Sequence, residues 1–68
     1  GMKISEAVSI FCNIESDEYT TEEKGLAIKK VTEMPTHNGI TKEQTFKALE
    51  WLFYQHFEVE IKAGVENE

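Results

Sequence analysis

Hydrophobic residues recur at helical spacing in three separate parts of this 68-residue chain. The first set predicts a helix from about residue 4 to residue 13, because its members follow the i, i+3, i+4, i+7, i+8 order of one helix face. These positions are Ile4, Ala7, Val8, Phe11 and Cys12, with Ile10 and Ile14 at the edges of the same stripe.

The second set predicts a helix from about residue 21 to residue 34. Thr20 and Glu23 have the spacing of a capping box, in which each side chain hydrogen-bonds the backbone N–H of the other residue. The residue before a proline avoids the helical conformation, so this helix should end at Met34. Asn38-Gly39 then supplies the backbone freedom of a tight turn.

The third set predicts a helix from about residue 42 to residue 57, with Thr41 and Gln44 as a second candidate capping box at its start. One broad face of this helix is apolar and is predicted to pack against the other two helices. That face carries Phe46, Leu49, Leu52, Phe53, His56 and Phe57, and we expect Phe46, Leu49 and Phe53 to be buried together with Phe11 and Val31.

Beyond Phe57, hydrophobic and charged residues alternate as they do in a strand. A single strand has no partner inside a three-helix fold. Residues 59–68 are therefore predicted to be an extended or disordered C-terminal tail, with a strand added to another chain and a helical continuation as alternatives. The sequence predicts an all-α fold with three helices in one domain, residues 1–58, followed by the tail.

The charge and composition of the chain disfavour some classes of function. The chain has thirteen acidic residues, seven lysines and a formal charge of −6. Arginine, the preferred residue for phosphate and guanine contacts, is absent, which disfavours a nucleic-acid partner. No apolar run reaches the roughly 20 residues of a membrane span. A signal peptide is not predicted, and the single cysteine is typical of a reducing compartment, so we predict a cytoplasmic protein without membrane contact.

The small size of the chain predicts self-association. A domain of this length buries only roughly 60% of the surface that its unfolded chain exposes, so disulfides, a metal or a second subunit often stabilise it. One cysteine excludes an internal disulfide. Because Cys12, His37 and His56 lack the spacing of a zinc site, we predict no metal and no cofactor. A homo-oligomer is expected, with a dimer favoured.

Catalysis is not predicted. His37 lies beside Asn38 in a polar turn and is a candidate general base, but backbone capping by the turn's polar side chains is the simpler interpretation. His56 is either a pH switch within an apolar face or a partly buried histidine near a helix end. The acidic residues between 15 and 23 lack the spacing and central glycine of a calcium loop and are predicted to be solvated.

Two large aromatic residues lie away from the apolar face of the third helix. At about 100° per residue, Trp51 and Tyr54 lie roughly opposite Leu49 and beside Lys47 and Glu58. Aromatic residues off a core face are typical of contact surfaces. The sequence thus predicts a protein-interaction site formed by Trp51, Tyr54, Lys47 and Glu58, unless the first helix or the tail covers the two rings.

A DNA-binding function is the alternative. The predicted helices 21–34 and 42–57 could form a helix-turn-helix, although the segment between them is longer than the usual turn of three to four residues. The positions that would face a groove include only two basic residues, Lys42 and Lys47. This interpretation would make the protein an accessory regulator.

The segment Glu33-Met34-Pro35-Thr36-His37-Asn38-Gly39-Ile40-Thr41-Lys42, followed by Ala48-Leu49-Glu50-Trp51-Leu52-Phe53, resembles small uncharacterised proteins of Firmicutes phages and integrated elements, as does the opening Met2-Lys3-Ile4-Ser5-Glu6-Ala7. The resemblance covers the chain to about Phe57. It implies a gut or soil bacterial cytoplasm and a mobile-element context, without a known activity or site residues. The expected function is a small acidic protein-interaction module, such as a phage-type regulator that docks on a host or element protein.

Overall fold

The computed structural model describes residues 1–34 and 39–66, with residues 59–66 described by their backbone only. Three helices account for most of this part of the chain, and it contains no strand, which confirms the predicted all-α class. Helix α1 spans Ile4–Cys12, α2 spans Thr21–Thr32 and α3 spans Lys42–Glu66. The predicted starts agree with these bounds, whereas α1 and α2 end one and two residues earlier than expected.

Reciprocal capping boxes begin both α2 and α3, as predicted. At α2, the N–H of Glu23 donates to Thr20 Oγ1 at 3.1 Å, and the N–H of Thr20 donates to Glu23 Oε1 at 2.9 Å. At α3, the N–H of Gln44 donates to Thr41 Oγ1 at 3.1 Å, and the N–H of Thr41 donates to Gln44 Oε1 at 2.9 Å. Each box satisfies two N–H groups that lack helical partners, so the helix starts are set by local sequence.

The connection from α2 to α3 begins with a tightened helix end. The N–H of Glu33 donates to Lys29 O at 3.2 Å, and the N–H of Met34 donates to Val31 O at 3.1 Å. Gly39 has a φ of +84°, a left-handed conformation that costs a residue with a Cβ about 1–2 kcal/mol. The rest of the predicted turn, residues 35–38, lies outside the described residues.

The core lies between α1 and α2 and receives little from α3. Phe11 and Val31 are buried in it, as predicted. Phe46, Leu49 and Phe53 are exposed, so the prediction that these three residues complete the core is wrong. The buried hydrophobic residues of the described chain are Ala7, Ile10, Phe11, Ile14, Ala27, Ile28, Val31 and, from α3, Ala48.

The side of α3 that faces the core is narrow and carries a small residue. Ala48 is 1% exposed and lets the α3 backbone approach α1 closely. Trp51 packs beside it against the same core. At about 100° per residue, Ala48 and Trp51 lie roughly 160° and 140° from Phe46 around the helix axis. The face with the largest apolar side chains therefore points away from the rest of the chain.

Helix α3 continues well beyond the predicted end at Phe57. Its backbone is helical to Glu66, which corresponds to the helical continuation and not to an extended strand. A helix of 25 residues is roughly 37 Å long, most of the 46 Å length of the molecule. The radius of gyration is 13.5 Å, against about 11 Å for a compact chain of this size. Helix α3 therefore projects beyond the α1–α2 pair.

Candidate protein-binding face

A stripe of exposed apolar side chains runs along α3 on the side opposite the core. Phe46 is 66% exposed, Leu49 55%, Phe53 69% and Phe57 48%. Their spacing of three, four and four residues keeps all four on one side of the helix over roughly 16 Å. We call these four residues the outward face of α3. Leu52, which is also exposed, borders it on one side.

The exposed apolar area of this stripe is large for so small a protein. If each phenylalanine side chain offers roughly 200 Å², the three rings of the outward face expose about 350 Å² together. The leucines Leu49 and Leu52 bring the exposed area to roughly 500 Å². Monomeric soluble proteins rarely expose contiguous apolar patches beyond a few hundred Å², and larger patches mark binding surfaces. The outward face therefore has the character of a contact surface.

Two features give the outward face a defined shape. The rings of Phe53 and Phe57 stack with their centroids 6.3 Å apart and their planes 9° from parallel. This pairing of residues one helical turn apart, worth about 0.2–0.5 kcal/mol, places the two rings side by side on the outward face. At the N-terminal end, a shallow groove adjoins Phe46 and Leu49 and is lined further by Ile40, Thr41, Lys42 and Thr45.

Polar and charged residues border the outward face. Lys47 and Glu43 form an ion pair of 3.9 Å on the flank of α3, and both side chains remain accessible. Tyr54 is 64% exposed on the same flank, and Glu58 is also exposed. Three of the four predicted interaction residues, Lys47, Tyr54 and Glu58, thus lie on an accessible flank that adjoins the apolar stripe.

The fourth predicted interaction residue, Trp51, lies on the inner edge of that flank and packs against the core. This differs from the position predicted from the sequence, on the side of α3 that faces away from the core. The amine Nζ of Lys24 lies 5.8 Å from the centroid of the Trp51 ring, a cation–π contact. Lys24 itself is only 8% exposed, because its aliphatic stem is buried. We did not predict this role for Lys24, although its spacing from Ala27 and Ile28 placed it on the buried side of α2.

The remaining candidate residues do not form a site in the described part of the chain. His56 is exposed, and α3 continues past it to Glu66, so it is neither buried nor at a helix end. Cys12 is a partly buried free thiol at the end of α1. His37 and Asn38 lie outside the described residues. Among the side chains that the structure describes, those of residues 1–34 and 39–58, no group of histidine, cysteine and acidic residues could hold a metal ion.

The acidic residue Glu23, in the first turn of α2, has a structural role in capping. The backbone N–H of Thr20 and then its hydroxyl lower the pKa of the Glu23 carboxyl below its ordinary value. The carboxylate therefore stays charged at the positive end of the α2 dipole. Its neighbours Glu15, Asp17, Glu18 and Glu22 are exposed to solvent, as predicted.

Helix α3, the longest described helix, is too polar to cross a membrane, and no other described helix is long and apolar enough to do so. Comparisons of the chain with protein families, with curated proteins and with solved structures find no match.

Proposed function

We propose that this chain is a protein-interaction module that binds its partner through the outward face of α3. The observation that carries the proposal is the exposure of Phe46, Leu49, Phe53 and Phe57 along one side of a projecting helix. An apolar helix face of this kind is normally covered by another helix or groove.

The energetics of the exposed side chains support a binding role. Covering roughly 500 Å² of apolar surface would be worth about 12 kcal/mol at 25 cal/mol per Å² before the costs of association. Those costs are of comparable size, and the partner's own apolar surface adds to the gain. Aromatic side chains near the centre of an interface commonly provide most of the affinity. Phe53, the most exposed ring of the stripe, is the expected anchor.

The flank of α3 supplies the polar rim that such an interface needs. Tyr54, Lys47 and Glu58 adjoin the stripe, and charged residues at a rim mainly set specificity and association rate. We assign Trp51 to the fold, because it packs against the core. The proposed role is non-enzymatic, and the single cysteine agrees with a cytoplasmic location.

Site-specific photo-crosslinking tests this proposal. A benzophenone-bearing phenylalanine analogue would replace Phe53, and in a control protein it would replace Thr32, which is exposed on α2. Each protein is irradiated in its host cell after circular dichroism confirms helical content. We expect a crosslinked protein adduct, with another copy or a different protein, at position 53 and not at position 32. Adducts at neither position, or equally at both, would refute the binding role of the outward face.

A further inference from the structure

We infer that the occupant of the outward face is a second copy of this chain, bound so that the two α3 helices run antiparallel. This inference rests on the proposed function, since it names the partner of the same surface. Three observations carry it: the area of the stripe, the order of its side chains and the charge at its two ends.

The exposed area matches what a small dimer requires. Two outward faces, each with its bordering Leu52, bring together roughly 1,000 Å² of apolar surface, to which the bordering polar residues add. Stable protein interfaces bury about 1,200–2,000 Å² in total. A symmetric pair also covers the stripe on both copies in a single contact, and two-fold dimers are the commonest oligomers. Self-association therefore leaves no large apolar stripe exposed on either copy.

The side chains along the stripe complement each other in the antiparallel orientation. When two α3 helices are aligned antiparallel about residue 51, Leu49 lies opposite Phe53 of the second copy, and Phe46 lies within one residue of Phe57 of the second copy. Each central contact then joins a leucine with a phenylalanine, so a larger side chain meets a smaller one. The two-fold axis then passes between Leu49 and Phe53, at the level of residue 51.

The charge at the ends of the stripe favours the antiparallel orientation. Lys42 lies in line with Phe46 and Leu49 at the N-terminal end of α3 and is exposed. In a parallel pair, the two Lys42 side chains would meet and repel each other. In the antiparallel pair, each Lys42 lies near the C-terminal end of the stripe of the other α3, where the exposed Glu58 follows Phe57. The helix dipoles are also opposed in this arrangement.

Sedimentation equilibrium of the full chain tests whether the partner is a second copy. The measurement is made in about 0.15 M salt, because salt at that concentration screens the repulsion between two acidic copies. We expect a reversible dimer at tens of micromolar, and we expect Phe53→Ala to weaken it by at least about tenfold. Lys42→Glu should weaken it by about three- to tenfold, since two symmetric rim contacts become repulsive. Lys29→Glu, the same charge change on the exposed surface of α2, is the matched control and should weaken the dimer far less.

Disulfide formation tests the orientation. In a Cys12→Ser background, an equimolar mixture of Leu49→Cys and Phe53→Cys chains should form mainly the mixed disulfide, because position 49 of one copy faces position 53 of the other. Lys42→Cys should not form a self-disulfide, since the two copies of position 42 are roughly 28 Å apart along an antiparallel pair. Self-disulfides at position 42, or at positions 49 and 53 in preference to the mixed disulfide, would overturn the antiparallel arrangement.

A chain that stays monomeric to about 100 micromolar would refute the second copy as the partner. The proposed function is judged separately, because crosslinking at position 53 to a different protein would still support it. A dimer that Phe53→Ala does not weaken would also refute this inference, since the copies would then meet through another surface.

Discussion

Truncating two aromatic residues of α3 to alanine distinguishes the core-facing side of the helix from its outward face. Trp51 and Phe53 are two positions apart, and they lie roughly 160° apart around the helix axis. Because Trp51 packs on the core and Phe53 is 69% exposed, we expect only Trp51→Ala to destabilise the monomer strongly.

The expected decrease in the free energy of unfolding follows from the area of each side chain that the rest of the chain covers. About a third of the Phe53 ring, roughly 60 Å², is covered within the chain, which gives a ceiling of about 1.5 kcal/mol. The higher helix propensity of alanine offsets about 0.5 kcal/mol of this, so Phe53→Ala should cost about 1 kcal/mol or less. Trp51→Ala removes roughly 150 Å² of packing and the contact with Lys24, so it should cost about 2–4 kcal/mol.

The assay is urea unfolding followed by far-ultraviolet circular dichroism, since Trp51→Ala removes the only tryptophan and its fluorescence. The chain is diluted until the unfolding midpoint no longer depends on concentration, so that the result reports on the monomer. Ile10→Ala is the control for a core cavity, because Ile10 is 1% exposed, and it should cost about 2–5 kcal/mol. Equal losses for Phe53→Ala and Trp51→Ala would refute the assignment of the two sides of α3.

Two further predictions concern the α2 cap and DNA. The lowered pKa of Glu23 means that its bond to Thr20 contributes stability above pH 4.5, the carboxyl's ordinary value, and loses it as the pH falls through the lower folded value. The variant Glu23→Gln keeps a capping box but has no titrating group at that position. The melting temperature of the wild type, measured relative to this variant, should therefore fall on acidification. A difference in melting temperature that stays constant with pH would contradict this. We also expect no measurable duplex DNA binding near physiological salt, because the chain has a charge of −6 and no arginine. Sub-micromolar binding that weakens steeply with salt and is lost on Lys42→Glu and Lys47→Glu would instead support the helix-turn-helix alternative.

The local features of this protein could be predicted from the sequence because they depend on neighbouring residues. The pairs Thr20–Glu23 and Thr41–Gln44 satisfy backbone N–H groups within the same helical turn, so their spacing alone predicts where α2 and α3 begin. Apolar periodicity likewise predicts a helix and its apolar face. The end of α3 was predicted too early, because the alternating pattern after Phe57 resembles a strand, whereas a helix already begun adds residues at little cost.

Which side of α3 meets the core was decided only by the tertiary structure. The stripe of Phe46, Leu49, Phe53 and Phe57 is the most apolar side of the helix, and its periodicity indicates that something should cover it without indicating what. The α1–α2 pair accepts the small Ala48 at close range, with Trp51 and the buried stem of Lys24 beside it. Hydrophobic burial is not directional and depends on the total area removed from water, so a face covered within the chain and a face left for a partner look alike in sequence.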